Sequence, residues 1–596
     1  MKSNNNHQGN GFRKLPAWIG LAIVSLSCIW IAQRFFTEAF PLVALDLTMD
    51  RSTALVQAAE HVDKHGWGTR AYEQAAAFEL DAKTQHFVEL ECGGNAAFGA
   101  MLAGDLYAPY QWKVRHFEQD SAHEVTLSFK PDGVWYGFYE RLPEDTPGAA
   151  LAVDPARQIA TETATALGIA LDEYQPVSAS QEQRLSGRVD HTFVFERPES
   201  DLGEGRYRLR LVVSGDRLTT LAHEVFVPEA FTRQYTEMRS ANETLAAGAG
   251  IAMLVLYIIG GGIGTFFLLR QRWVLWKTAL RWGIFIGVLQ GAVILNQIPL
   301  SWMYYDTAIS TQAHIVEQLI GAILSAIGMT ILLAFSFLIA ESLSRRAFPH
   351  HLQFWQLWSS STAASPQVLG RTAGGYLLIG PMFAFVVGFY YLNSYFLGWW
   401  NPSNTLFEPN VLAAYFPWFS SIAISLQAGF WEECLFRAIP LAGAALLGQR
   451  YGHPRLWIAA AFLLQMVIFG AVHANYPAQP AYARLVELLV PSAVFGFLFL
   501  QFGLLPAIVM HFAYDVVWFA MPLFVAEAPG LRVDQMLVIA LSLVPLAVPL
   551  VYRWRQGAWQ SVEDRAYNAA WQPPPATDPL DQPQPIAQRP ARTSAP

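Results

Sequence analysis

Charge is what this sequence has least of. Only 14% of its 596 residues are charged while 53% are hydrophobic, with 20 Trp and 39 Phe, whereas soluble domains carry roughly 25% charge. That balance excludes an ordinary soluble protein. Cysteine is equally scarce: Cys28, Cys92 and Cys434 lie far apart, two of them in apolar runs, which excludes a disulfide framework and a thiolate metal cluster. The formal net charge of −8 leaves no basic face for nucleic acid. No glycine-rich loop of the phosphate-cradling kind is present either.

What the chain has instead is long apolar runs. Residues 1–14 form a short polar N-terminus, and 15–36 are long enough to cross about 30 Å of hydrocarbon as an anchor helix. A cleaved signal ending at Thr37-Glu38-Ala39 is the alternative reading. From residue 245 further runs follow at roughly 245–269, 282–300, 315–340, 374–398, 411–430, 456–474, 485–502, 505–523 and 535–552. With the anchor these make about ten spans, divided between a first group at 245–400 and a second at 411–552. Basic residues collect on one side by parity, at Arg270 to Arg281, Arg345, Arg346 and Arg371, Arg450 and Arg455, and Arg553 and Arg555. The positive-inside rule then puts both termini in the cytoplasm and residues 41–242 outside. The Pro- and Gln-rich segment 556–596 has little to bury and reads as disordered.

Residues 41–242 contain an internal repeat. "DRSTALVQAAEHVDKHGW" and "DPARQIATETATALGIAL" each open with Asp near a helix start, and each leads to alternating runs about a turn, at Pro131-Asp132-Gly133 and Ser214-Gly215-Asp216. Two helix-plus-hairpin modules are expected, and the pair resembles tandem PepSY-type repeats. The expected fold is thus an all-α polytopic membrane bundle of about ten helices carrying an inserted extracytoplasmic α+β region.

Ionisable residues inside apolar runs are functional candidates, because charge is expensive there. "GFWEECLFRAIP" carries Glu432, Glu433 and Arg437, "FGAVHANYP" carries Phe469 and His473, and "IVMHFAYDVVWF" carries His511 and Asp515. Spacing of i,i+4 lets Glu433 pair with Arg437 and Asp515 hydrogen-bond His511 to fix its tautomer. Glu432 is left without a local partner, as suits a general base. Histidines from other helices could polarise a carbonyl or, with Glu432, hold a metal with one position open for water. Each pair read alone is as well explained by structure; together they suggest a shared polar cavity.

In order and spacing these residues resemble the CPBP or Abi family, the CAAX-processing and bacteriocin-processing intramembrane proteases related to the Ras-converting enzyme. "EECLFR" resembles its EExxxR motif, "FGAVH" its FxxxH motif and "HFAYD" its HxxxN/D motif, with Gly496 and Gly503 punctuating the run into His511. The resemblance spans about Ala414 to Phe524. It implies that Glu432 and His473 activate water, that His511 and Asp515 stabilise an oxyanion, and that Glu433, Arg437 and Phe469 support them. A divalent metal such as Zn2+ on His473, His511 and Glu432, or a metal-free glutamate-dependent scheme, are both compatible with it. Asp515 stands where Asn is common, and "RAIP" where an Arg-Gly pair is frequent. An aspartate donates to an oxyanion less readily than Asn, which favours orienting His511, or binding metal, as its role. The expected function is an intramembrane endopeptidase of a bacterial inner membrane, acting on a peptide or membrane-protein substrate among membrane lipid. A catalytically silent immunity or scaffold protein on the same fold and a membrane transporter are the other classes considered.

Overall fold

The computed structural model describes residues 15–40, 45–198, 201–405 and 407–573. The expected cytoplasmic segment 1–14 lies outside the described residues.

The first apolar run can satisfy its backbone in hydrocarbon only as a helix, and it forms α1, Leu15–Ala39. Gly380 lies directly against Ser25, leaving no room for a Cβ, so α1 packs as a member of the bundle.

The region after α1 is built twice from one plan. The first half has α2 (Arg51–His65), β1 (Glu73–Leu80), α3 (Ala82–Glu91), α4 (Gly94–Ala103), β2 (Tyr110–Phe117), β3 (Glu124–Phe129) and β4 (Trp135–Arg141). The second has α5 (Val153–Ala166), β5 (Gln175–Gln183), β6 (Val189–Glu196), β7 (Arg206–Ser214) and β8 (Arg217–Phe226). Asp50 caps α2 by accepting from Thr53 N at 2.7 Å, the Asp signal read from sequence. All pairs are antiparallel in one sheet of order β1-β2-β3-β4-β8-β7-β6-β5, so the two meanders join edge to edge at β4 and β8. Both halves have a leading helix and four strands, the first adding α3 and α4 between β1 and β2, where a helix and a hairpin were expected in each. The expected hairpins are β3–β4 and β7–β8. Of the other four, β1, "EQAAAFEL", and β5, "QPVSASQEQ", lack a clear alternation, β5 being exposed throughout, whereas β2, "YQWKVRHF", and β6, "VDHTFVFE", alternate.

The chain then enters α6, Glu229–Arg270, one 42-residue helix with a π turn at Leu254–Ile259. It begins well before residue 242, so the outer region and the first span of the bundle share a rigid element. There follow α7 (Trp276–Asn296), α8 (Thr311–Ala347), α9 (Pro366–Leu397), α10 (Pro417–Glu432), α11 (Ile439–Tyr451), α12 (Pro454–Val472), α13 (Ala483–Phe502), α14 (Leu504–Phe519), α15 (Arg532–Ser542) and α16 (Val544–Gln556). Gly283, Gly287 and Gly291 on α7 face Thr330, Ala326 and Ala322 of α8 with no room for a Cβ, a small-residue seam of the kind that joins membrane helices.

Among the described residues seven helices are long and apolar enough to cross a membrane, eight if α15 and α16 count as one span bent by 60°. The chain is a multi-pass membrane protein. About ten spans were expected, and the difference has identifiable causes. The charged motif falls at the end of α10 and in the turn between α10 and α11, and α14 has only 16 residues.

Residues 556–573 of the segment expected to be disordered are described, and part of them is held in place. Ala566 O accepts from Gln353 N at 2.8 Å, Asn568 N donates to His351 O at 2.9 Å, and Trp571 lies 4.5 Å from the Arg345 guanidinium. Backbone pairing and aromatic contacts thus hold 564–571 against the end of α8; residues 574–596 lie outside the described residues.

Candidate active site

α10 does not run straight into α11. Between them Glu433–Ala438 form a π turn, a local widening often found at functional sites. It separates the fates of adjacent carboxylates. Glu433 and Arg437 are fully buried and pair at 3.4 Å, as the spacing predicted. The Arg437 guanidinium lies 3.9 Å from the Phe469 ring and 4.8 Å from that of Phe495. Phe469 therefore supports the arginine by a cation–π contact. Glu432 points the other way, into a cavity of about 100 Å³ that it lines with His473, His511, Asp515, Tyr476 and Arg484.

Three helices bring the candidates together there. Glu432 Oε2 is 3.8 Å from His473 Nε2 and 3.7 Å from His511 Nε2. His473, at the end of α12, donates from Nδ1 to the Phe469 carbonyl at 2.7 Å, because a carbonyl oxygen only accepts. In the neutral ring this turns the Nε2 lone pair toward Glu432. His511, on α14, stacks on Phe495 with ring centroids 4.9 Å apart.

The partner that fixes His511 differs from the expected one. Nδ1 donates to Glu433 Oε1 at 2.8 Å, whereas Asp515 Oδ2 stands 3.6 Å from Nε2, beyond hydrogen-bonding range. Glu433 thus joins Arg437 to His511, a link across 78 positions that no local spacing could reveal. Asp515 flanks the face of His511 that looks into the cavity.

Glu432, His473 and His511 are the donor set considered for a metal. Among the described residues, however, no group of three His, Cys, Asp or Glu is arranged to hold a metal ion. The chemistry derived from these side chains therefore runs through none.

Arg484 is a cavity residue that the sequence analysis did not single out. It lies in the first turn of α13, 6% exposed, pairs with Glu487 at 2.6 Å and reaches Tyr390 Oη at 3.3 Å. Its guanidinium also covers the Tyr476 ring at 5.2 Å. The i,i+3 signal Arg484-x-x-Glu487 at the head of an apolar run was present in the sequence. Ser492 and Gln465 complete the wall behind Arg437, with Ser492 Oγ 3.5 Å from Nη2 and donating to Gln465 Oε1 at 2.7 Å.

No curated protein and no solved structure matches the chain significantly. One family model does, over residues 414–517, the stretch from just before α10 into α14 that contains Glu432, His473, His511 and Asp515. Its description is type II CAAX prenyl endopeptidase Rce1-like, so residues 414–517 are similar to that family of CAAX-type proteases.

Proposed function

We propose that this protein is an active intramembrane endopeptidase that hydrolyses peptide bonds with water activated by Glu432 and His473. The observation that carries the reading is the convergence of Glu432 Oε2 with both imidazole Nε2 atoms at 3.7–3.8 Å in one cavity, on a segment of protease ancestry. A water between Glu432 and His473 donates one hydrogen to each, which directs its remaining lone pair at the scissile carbonyl. Glu432 takes the proton as the oxygen attacks. Protonated His511, held through Nδ1 by Glu433, offers Nε2–H to the oxyanion, with Asp515 beside it. When the C–N bond breaks, Glu432 returns its proton to the leaving amine. Glu433, Arg437 and Phe469 hold this arrangement and do not touch substrate.

The proposal extends to setting. Basic helix ends on one side support cytoplasmic termini in a bacterial inner membrane, with the sheet region outside. Among the described residues that region contributes no group to the cavity, which supports a substrate-selecting or regulatory part. The leading helix and four strands that its two halves share support a PepSY-like pair. The test of activity is a comparison of membrane peptides from cells carrying the wild-type chain or Glu432→Gln. Peptides produced only with the carboxylate support the proposal, and identical peptide sets at equal protein level contradict it.

A further inference from the structure

The stretch that follows His473 is held from two sides by residues remote in sequence. His473–Asn475 form a single tight turn, and 476–482 lack regular structure. Such a segment, with few backbone bonds of its own, belongs to the least stable part of a fold. On one side, Trp400 and Gln479 exchange both backbone hydrogen bonds, each 2.8 Å. Trp400 is fixed in turn by the outer region. Its indole Nε1 donates to Glu89 Oε2 on α3 at 2.9 Å, while Ser403 N and Oγ donate to Glu89 Oε1 at 3.2 and 2.5 Å. Gln85, one turn earlier on α3, donates to the same oxygen at 2.8 Å and to Ser403 Oγ at 3.0 Å. On the other side stands Asn242 of α6, fully buried, donating from Nδ2 to Ala478 O at 3.1 Å and Ala481 O at 3.4 Å. Arg239, one turn earlier, donates to Asn475 O at 2.7 Å and to Asn242 Oδ1 at 3.3 Å.

We infer that Glu89 and Asn242 are positioning residues: the outer region sets His473 through a clamp that runs from Glu89 through Trp400 and Gln479 and is closed from the other side by Asn242. A carboxylate only 4% exposed that gathers four donors from two polypeptide segments fixes those segments in one geometry. That geometry ends at Gln479, six residues from the catalytic imidazole. The meaning of the clamp for turnover rests on the proteolytic reading of the cavity; its mechanical part does not.

Hydrogen exchange on the full chain in detergent, read on peptides covering 399–405, 473–482 and 417–432, separates the two. Glu89→Gln keeps an oxygen for Ser403 and Gln85 but withdraws the acceptor from the Trp400 indole. It should speed exchange by about tenfold at 399–405 and at 473–482, the scale of one or two lost buried hydrogen bonds. Asn242→Ala should do so at 473–482 alone, with Asn242→Ser used if that variant is poorly made. Both should leave 417–432 as protected as in the wild type. On peptides whose cleavage depends on Glu432, both variants should lower kcat and leave KM unchanged. Looser 399–405 with an unchanged 473–482 in Glu89→Gln overturns the clamp, as does a loosened 473–482 with undiminished kcat. If no peptide depends on Glu432, the proteolytic reading fails while the exchange result still decides the mechanical link.

Discussion

Glu432 and Glu433 are chain neighbours in different environments, and their loss should differ in kind. Glu432 looks into the cavity with 16% of its side chain exposed, so Glu432→Gln should leave protein level unchanged. Glu433 is fully buried between Arg437 and His511. Glu433→Gln retains an acceptor for His511 Nδ1–H but leaves Arg437 as an uncompensated charge, which should cost about 3–5 kcal/mol. Thermal unfolding in detergent and protein level in membranes check this; a fully stable Glu433→Gln would refute the structural role. His473→Ala and His511→Ala should each resemble Glu432→Gln in turnover, and pairing either with Glu432→Gln should add little, because residues acting as a unit lose function non-additively. At this scale much was legible. An ionisable side chain in an apolar run is conspicuous, and Glu432, His473, His511 and Asp515 do line one cavity. The Glu433–His511 bond was not legible, since it depends on how α10 and α14 cross.

That crossing is itself testable at the level of elements. Gly429, one turn before Glu433, lies so close to α14 that a Cβ would stand 2.8 Å from Phe512 N and 3.2 Å from Ile508 O. Gly429→Ala must push the helices apart, at a cost of about 1–3 kcal/mol, and should shift Glu432 relative to His511. Reduced turnover with a lower unfolding temperature is expected, and unchanged values for both would contradict the close crossing. The π turn that aims Glu432 at the cavity was not foreseeable, because the sequence through Ala438 fits an ordinary helix equally well. The sheet region makes a separate prediction. Burial holds His86, His116 and His223 down to about 4, from an ordinary value of 6.5. Below 6.5 the unfolded chain takes up protons that the folded chain refuses, so stability should be complete above that pH and decline as pH falls toward 4. Unfolding temperatures from pH 7.5 to 4.5 measure this. His223→Gln should lessen the decline. In this region the Asp50 cap and the two turn hairpins were readable, though Asp154 lies in the first turn of α5 without capping it, while β1 and β5 were hidden by alanine-rich or wholly polar sequence.

At the scale of the whole molecule, the continuous α6 changes what truncation can do. A chain beginning at Glu243 looks, from sequence, like an intact membrane core. In the structure it lacks Arg239 and Asn242, which hold the stretch after His473. Such a chain should insert yet turn over more slowly than the full protein, and equal turnover would contradict the coupling of the two regions. The proposed orientation is tested by single cysteines at Leu185, 88% exposed at a turn of the sheet region, and at Ser561. An impermeant thiol reagent should label the first from outside and the second only after the membrane is opened. Labelling of both from one side would overturn the orientation. Ten runs were counted from sequence where seven or eight described helices meet the length test, because hydropathy cannot distinguish a full-length helix from the short α14 or from the broken pair α15–α16. The contacts that Ala566, Asn568 and Trp571 make were not readable, because they join residues remote in sequence. The central claim, that Glu432 takes a proton from attacking water, is tested most directly by turnover of the purified full chain in vesicles, wild type against Glu432→Gln at equal, folded amounts. Turnover is expected to fall by a factor of about 10² to 10⁴; a Glu432→Gln protein that cleaves as fast as the wild type would contradict it.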